Sequence, residues 1–249
     1  MSKDIPIIFS RPMLRALLDG HKTQTRSILK PQLVCESHKP WPDSPEPVPS
    51  IDEDGVHCAT CGAGIELDNR RESGVRGIPL RFAAGDRLWV REAVAWINNS
   101  EFGKPSYWEY RADTDGTCFP GDWPPECKDD PERPRWRPAI HMPRPASRIT
   151  LIVTGVKVER LQDISNEDAI AEGVASWRND WSVKEAATAF LQGSEVAAET
   201  KEGTVAQRLF YLVWAEINGR DSWAKNPFVT AITFRVIKAN IDAPEARAA

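Results

Sequence analysis

The sequence lacks three features that would place it in a special class of protein. No stretch approaches the roughly 20 consecutive apolar residues of a membrane span, and the apolar run near the start is too short for a signal peptide. The 249 residues carry a formal net charge of −4, which excludes a polycation that coats nucleic acid. The cysteines number five, and an odd count argues against a secreted disulfide framework. We therefore expect a cytoplasmic globular protein with no membrane partner, of unknown oligomeric state.

Proline and tryptophan are abundant instead, at 20 and 10 residues. The string "KPWPDSPEPVPS" lies in residues 31–78, a proline-rich and acidic segment with no hydrophobic periodicity. This composition is typical of an insertion in a domain. We expect the domain to comprise residues 1–32 and 76–240, with the insertion at residues 33–75 and a tail at residues 241–249.

The remaining segments carry helix and strand patterns. Ser10 is a predicted N-cap of a helix that ends at Gly20, and Thr204 begins another helix with Gln207 at the capping-box position. The longest strand pattern is "RITLIVTGVKVER", in which the apolar parity changes at Thr154-Gly155, as a β-bulge would produce. Helix, strands, helices and a final strand follow one another with little βαβ alternation. This order predicts an α+β fold with a mostly antiparallel, barrel-like sheet.

The string "GHKTQTR" follows the first helix and contains a candidate catalytic pair. We expect a turn that brings Lys22 and Thr25 to one side. A lysine of lowered pKa is a general base, a threonine hydroxyl can attack a carbonyl carbon, and Arg26 would favour the neutral lysine by charge repulsion. Glu172 ends the short helical string "AIAEG" among apolar residues and is a candidate proton donor. The alternative is a solvated helix end and a surface carboxylate.

Four strings in this order resemble the ASCH family, a branch of the PUA-like β-barrels. They are "LLDGHKTQTR", "GDRLWVRE", "ISNEDAIAEGV" and "NPFVTAITFRVI". The chain is most similar to the ASCH-domain proteins of bacteriophages and prophages. The resemblance implies a β-barrel with flanking helices and a cleft at one side that receives RNA or a nucleobase.

A family member hydrolyses N4-acetylcytidine with a lysine, a threonine and a glutamate. The resemblance carries these roles to Lys22, Thr25 and Glu172, and Arg26 matches the family's arginine only loosely because it lies one position earlier. It therefore implies an amidohydrolase that removes the acyl group from N4-acylated cytosine nucleosides or nucleotides and needs no catalytic cofactor. Other members are ribonucleases or RNA binders, so a non-catalytic RNA- or single-stranded-DNA-binding module and a ribonuclease remain alternatives.

The insertion contains a pattern typical of a structural zinc site. Cys58 and Cys61 form a C-x-x-C pair, and Cys35 and His38 form a second close pair, which together supply four tetrahedral ligands. His57 is a substitute for His38. The other interpretation is a loop that happens to contain cysteines.

One stretch, "RPRWRPAIHMPRPASR", concentrates basic residues. Guanidinium planes and an indole suit phosphates and bases, so Arg144 and His141 are candidate substrate-binding residues, together with Arg26 and with Trp89 in "RLWVRE". A solvated loop and a core tryptophan are the simpler alternatives.

Overall fold

The computed structural model describes residues 2–30, 49–52, 55–58, 67–68, 78–99, 104–114, 134–174 and 203–247. Its helices are α1 Arg11–Leu18, α2 Asn166–Ala171, α3 Val205–Asn218, α4 Arg220–Ala224 and α5 Pro244–Arg247. The strands are β1 Asp4–Ile8, β2 Gln24–Ile28, β3 Pro49–Asp52, β4 Gly55–Cys58, β5 Leu67–Asp68, β6 Ile78–Pro79, β7 Arg87–Arg91, β8 Val94–Ile97, β9 Tyr107–Tyr110, β10 Thr150–Arg160 and β11 Phe228–Ile237. None of these helices is long and apolar enough to cross a membrane.

Five strands form the main sheet, in the order β1-β7-β10-β11-β2. The β1–β7 pair is parallel, and the other three pairs are antiparallel. β3–β4, β5–β6 and β8–β9 form separate two-stranded sheets. The predicted α+β class is confirmed. Among the described strands, however, β1 and β2 are the two edges of the main sheet and do not pair with each other, so the sheet is open where a closed barrel was expected.

The main core lies between this sheet and α1. Leu14 and Leu17 of α1 are buried against Leu88 and Val90 of β7 and against Leu151 of β10. Leu88 and Val90 alternate with more exposed neighbours, so β7 is buried on one face only. The packing of its apolar face therefore fixes where α1, and with it the C-terminal end of the helix, lies on the sheet.

A second core joins α2 and α3 to the start of β11. Phe210 and Trp214 of α3 pack with Leu161 and Val229. Ile217 is 53% exposed because it lies in the last turn of α3, beyond this core. α3 thus forms a wall beside β2 and the end of α2.

Several local predictions are confirmed. The register of β10 shifts between Val153 and Gly155, as the change in apolar parity indicated. Thr204 and Gln207 form a complete capping box at the start of α3. The segment predicted as a tail is described as far as residue 247, and Ile241 within it is fully buried.

Candidate active site

The end of α1 places Lys22 against the end of α2. Gly20 has a φ of +77°, a conformation that glycine adopts without strain, and the chain leaves the helix there as predicted. The main-chain N–H of Lys22 then donates to Ala16 O at 3.1 Å, and that of Thr23 donates to Ala171 O at 2.8 Å. These two bonds attach the segment to both helices. The position of Lys22 is therefore set by the backbone on either side.

The side chain of Lys22 is fully buried, and its amine reaches Glu172, the residue that follows α2. Nζ donates to Glu172 Oε2 at 2.7 Å and to the Glu172 main-chain oxygen at 3.0 Å. The ring of Phe9 lies 5.8 Å from Nζ on another side. The fold thus brings together two predicted site residues that are 150 positions apart in the chain.

Burial governs the charge of this lysine. Desolvation is the largest influence on the pKa of Lys22 and lowers it, while the charge and hydrogen bond of Glu172 act in the opposite direction. The positive charge of Arg26 lowers the pKa further, as the sequence predicted, but its effect is the smallest of these. The net direction is downward, towards the neutral amine that a general base requires.

Thr25 lies in β2, so the turn that the sequence predicted at this position is wrong. Thr25 is opposite Ile232 of β11 in the antiparallel register, and directly opposed side chains share one face of a sheet. Ile232 packs in the main core with Phe9, whose ring is beside the Lys22 amine. Thr25 is therefore on the face of the sheet that carries Ile232 and the main core.

Arg26, the next residue of β2, joins Glu172 to further carboxylates. NH1 donates to Glu172 Oε1 at 3.0 Å and to Gln24 Oε1 at 2.5 Å. Nε and NH2 donate to Glu159 Oε1 at 2.9 and 2.6 Å, and NH2 also donates to Asp168 Oδ2 at 2.8 Å. The buried polar cluster, as we call it, comprises Lys22, Gln24, Arg26, Glu159, Asp168 and Glu172. Within it Arg26 holds carboxylates in place, so most of its donors are already engaged.

The cluster also changes how α2 begins. Ser165 Oγ accepts the N–H of Asp168 at 3.0 Å and so caps the start of α2. The Asp168 carboxylate is at the position that would complete a capping box, but it accepts from Arg26 and from Gln24 Nε2 at 3.2 Å instead. A charge-assisted bond to guanidinium is stronger than a bond to a neutral backbone donor, which accounts for the difference.

A cleft of about 990 Å³ opens above the cluster. Its floor includes Thr25 and Glu172, and its mainly apolar walls include Phe9 from the segment after β1 and Phe210 and Val213 from α3. This volume suits a small organic ligand. Lys22 is not among the residues that line the cleft. Its amine is hydrogen-bonded to Glu172, which does line the cleft, so this carboxylate connects the lysine amine to the cleft.

Three predicted substrate-binding residues lie outside the lining of this cleft. Trp89 is partly exposed on β7, with the guanidinium of Arg91 5.3 Å from its ring. Arg144 donates to Asp4 and to Asp242 at 2.6 and 2.9 Å. His141 is exposed at the end of a short 3₁₀ turn. The structure therefore gives these three residues no direct part in the cleft.

The predicted zinc site lies mostly outside the described residues. Cys35, His38 and Cys61 are not among them, and Cys58 is described only as the last residue of β4. Within the described ranges, no group of three or more His, Cys, Asp or Glu side chains is arranged to hold a metal ion. The zinc interpretation stays a prediction.

The sequence reasoning missed Glu159, Gln24 and Phe9 as parts of the site. Glu159 belongs to a strand in which alternating charged residues indicate a solvent face, yet it is buried beside Arg26. No local signal marks it, because its partner is 133 positions away in the chain.

Comparisons of this chain with protein-family models, with curated proteins and with solved structures give no match. The resemblance to ASCH proteins stays a prediction. The chemistry of the cleft must therefore be inferred from the residues themselves.

Gly173 offers a test of how tightly the site is packed. Its φ is +84°, and a Cβ at this position would lie 3.0 Å from the Cβ atoms of Ala16 and Lys22. We expect Gly173→Ala to lower the free energy of unfolding by about 1–3 kcal/mol, through backbone strain and crowding, in urea denaturation. Gly20→Ala is the matched control, since Gly20 has a φ of +77° and no neighbour within 4 Å. An equal loss in the two variants would contradict close packing around Lys22.

Proposed function

We propose that this protein is an ASCH-type, PUA-like amidohydrolase that removes the acyl group from N4-acylated cytosine nucleosides or nucleotides. The observation that carries the proposal is the buried Lys22–Glu172 pair, whose carboxylate lines a cleft of small-molecule size that Thr25 also lines. A buried lysine with a lowered pKa is costly to maintain and is typical of functional sites. The open sheet of the described strands is compatible with a barrel only if further segments close it.

The Thr25 hydroxyl is the proposed nucleophile. Its oxygen forms a bond to the acyl carbon, and its proton passes through Glu172 to the Lys22 amine, which is neutral before the step. The bond between the acyl carbon and N4 then breaks, and N4 takes that proton from the pair. Cytosine leaves with a free amino group, and the acyl group remains as an ester on Thr25.

Water completes the cycle. It gives a proton to the same pair as its oxygen bonds to the ester carbon, and the acid leaves when Thr25 regains the proton. If Thr25 instead orients a water molecule, the pair takes the proton from that water directly. Arg26 contacts Glu172 Oε1 at 3.0 Å and its positive charge lowers the pKa of Lys22, so it favours the neutral lysine.

Two arginines of the basic stretch, Arg144 and Arg148, support a small substrate over a nucleic-acid polymer. Arg148 donates to Glu92 at 2.9 Å and to Asp113 at 2.7 Å, and Arg144 is paired with two aspartates. Ion pairs of this kind compete with phosphate contacts, which need unpaired cations. These ion pairs therefore give less support to the alternative of a non-catalytic module that binds RNA or single-stranded DNA.

The proposal is tested by incubating the purified protein with N4-acetylcytidine and following the ultraviolet absorbance of the acylated base. We expect this absorbance to change to that of cytidine, with acetate released in equal amount. A protein that binds the compound and leaves it intact would be a binding module, and the proposed activity would be wrong.

We also propose that the insertion binds about one structural zinc ion per chain through Cys35, His38, Cys58 and Cys61. Elemental analysis of protein washed with a weak chelator should find the metal, and a strong chelator should release it while the hydrolytic activity persists. Absence of zinc together with free thiol reactivity of Cys58 and Cys61 would end this proposal.

A further inference from the structure

The charges that line the cleft are unequal. Of the described lining residues four are cationic, whereas Glu172 is the single carboxylate. The cations are Arg26, Lys30, Arg81 and Arg91. The carboxylates of the buried polar cluster compensate Arg26. Three positive charges therefore remain for the contents of the cleft.

The guanidinium groups of Arg81 and Arg91 are bound by main-chain oxygens, which do not compensate their positive charge. Arg81 NH2 donates to Pro6 O at 3.0 Å, and its guanidinium carbon lies 5.0 Å from the ring centre of Phe82. Arg91 NH2 donates to Ile140 O. Within the part of the chain that the structure describes, neither arginine forms an ion pair with a carboxylate.

Both arginines adjoin β1, which lines the cleft. Arg91 is paired with Ile8 in the parallel register, two residues along β1 from the Pro6 carbonyl that holds Arg81. Two residues of a strand span about 7 Å, so the two arginines, which both line the cleft, adjoin main-chain positions of β1 about 7 Å apart. The Arg91 Nε donor is buried and has no acceptor among the described residues, so an acceptor oxygen there would relieve a desolvation cost.

We propose that Arg81 and Arg91 form a subsite for a phosphate ester, so that the preferred substrate is a nucleotide rather than a free nucleoside. Guanidinium groups match the oxygens of a phosphate by paired, charge-assisted hydrogen bonds, and stacking on an aromatic ring keeps them oriented. Lys30, at the exposed rim, adds a third positive charge. This inference takes the identity of the base from the proposed function, whereas the phosphate subsite does not depend on that function.

Calorimetric titration of the full-length protein with cytidine 5′-monophosphate and with cytidine tests the subsite without any catalytic step. We expect the monophosphate to bind about 10- to 100-fold more tightly, as charged hydrogen bonds of this kind imply. Arg81→Gln and Arg91→Gln should each reduce this ratio and leave the affinity for cytidine unchanged. Arg91→Lys should restore part of it. Equal affinities of the wild-type protein for the two compounds would overturn the proposal.

Arg247→Gln is the matched control, because Arg247 is 64% exposed and lies outside the cleft lining. It should keep the full ratio, and a loss as large as that in Arg81→Gln would show general charge attraction and overturn the subsite. A single-stranded oligonucleotide that bound far more tightly than the monophosphate would also overturn it, in favour of a polymer ligand.

The experiments can refute the phosphate subsite and the amidohydrolase activity independently of each other. Binding of the monophosphate through Arg81 and Arg91 without hydrolysis of any N4-acylated compound would support the subsite and refute the amidohydrolase. Hydrolysis of N4-acetylcytidine and of its 5′-monophosphate with equal kcat/KM would support the amidohydrolase and refute the subsite.

Discussion

Replacing Lys22 with methionine should reduce kcat for N4-acetylcytidine by about 10²- to 10⁴-fold, which is the usual contribution of general acid–base catalysis. Methionine keeps the length of the side chain and removes the amine. Glu172 would still accept from Arg26 NH1 at 3.0 Å, so its carboxylate is not left without a partner and the protein should fold. Steady-state kinetics, with circular dichroism as the check of folding, measure the effect.

Lys22→Arg separates charge from basicity at the same position. A guanidinium can pair with Glu172 but does not give up its proton, so this variant should be nearly as slow as Lys22→Met. Lys157→Met is the matched control, because Lys157 also pairs with a carboxylate of the cluster, at 2.7 Å from Glu159, and is 64% exposed. It should keep most of the activity. An active Lys22→Arg variant would show that the lysine only balances charge.

The pH dependence should follow the same group. A base must be neutral to accept a proton, so kcat/KM should rise with pH and level off above the pKa of Lys22. Because burial lowers this pKa, the rise should occur below 10.5, the value for an unperturbed lysine. A rise that persisted unchanged in Lys22→Met would assign it to another group.

Replacing Arg26 with methionine should produce the largest loss of stability. The guanidinium is fully buried and donates to the carboxylates of Glu159, Asp168 and Glu172, at 2.6, 2.8 and 3.0 Å. Removing it leaves carboxylates buried without their main partner, which costs about 3–5 kcal/mol when one member of a buried pair is lost. Urea denaturation should show this decrease in the free energy of unfolding.

Two further variants serve as controls for the stability of Arg26→Met. Arg144→Met breaks ion pairs at the surface and should change the free energy of unfolding far less. Arg26→Lys keeps the charge but cannot form the same set of bonds, so its stability should fall between those of the wild type and Arg26→Met. A stability of Arg26→Met equal to that of the wild type would mean that the buried polar cluster does not hold β2 and α2 together.

The local elements could be predicted because short-range patterns determine them. The end of α1 at Gly20 and the bulge near Gly155 each depend on a few consecutive residues. β1 and β2 were missed as strands for different reasons. The sequence "DIPII" is short and contains proline, while "QTRSI" has three consecutive buried polar residues and no alternation.

The site could be predicted only as separate candidates. Lys22 and Glu172 were chosen for their local settings, but their contact depends on the packing of α1 against α2. Arg26 is the clearest example of a contact that a sequence does not reveal, because its acceptors Glu159 and Glu172 are 133 and 146 positions away in the chain. A single sequence gives no signal of such pairings, because each residue alone is typical of a solvated surface.

The most direct measurement of the central claim compares acetate release from N4-acetylcytidine by the wild-type protein and by Thr25→Val, Thr25→Ser and Glu172→Gln. We predict that the wild type releases one acetate for each cytidine formed, that Thr25→Ser keeps part of this activity, and that Thr25→Val and Glu172→Gln are folded but slow. Release of acetate by Thr25→Val and Glu172→Gln at the wild-type rate, or no release by the wild type, would contradict catalysis by Thr25 and the Lys22–Glu172 pair.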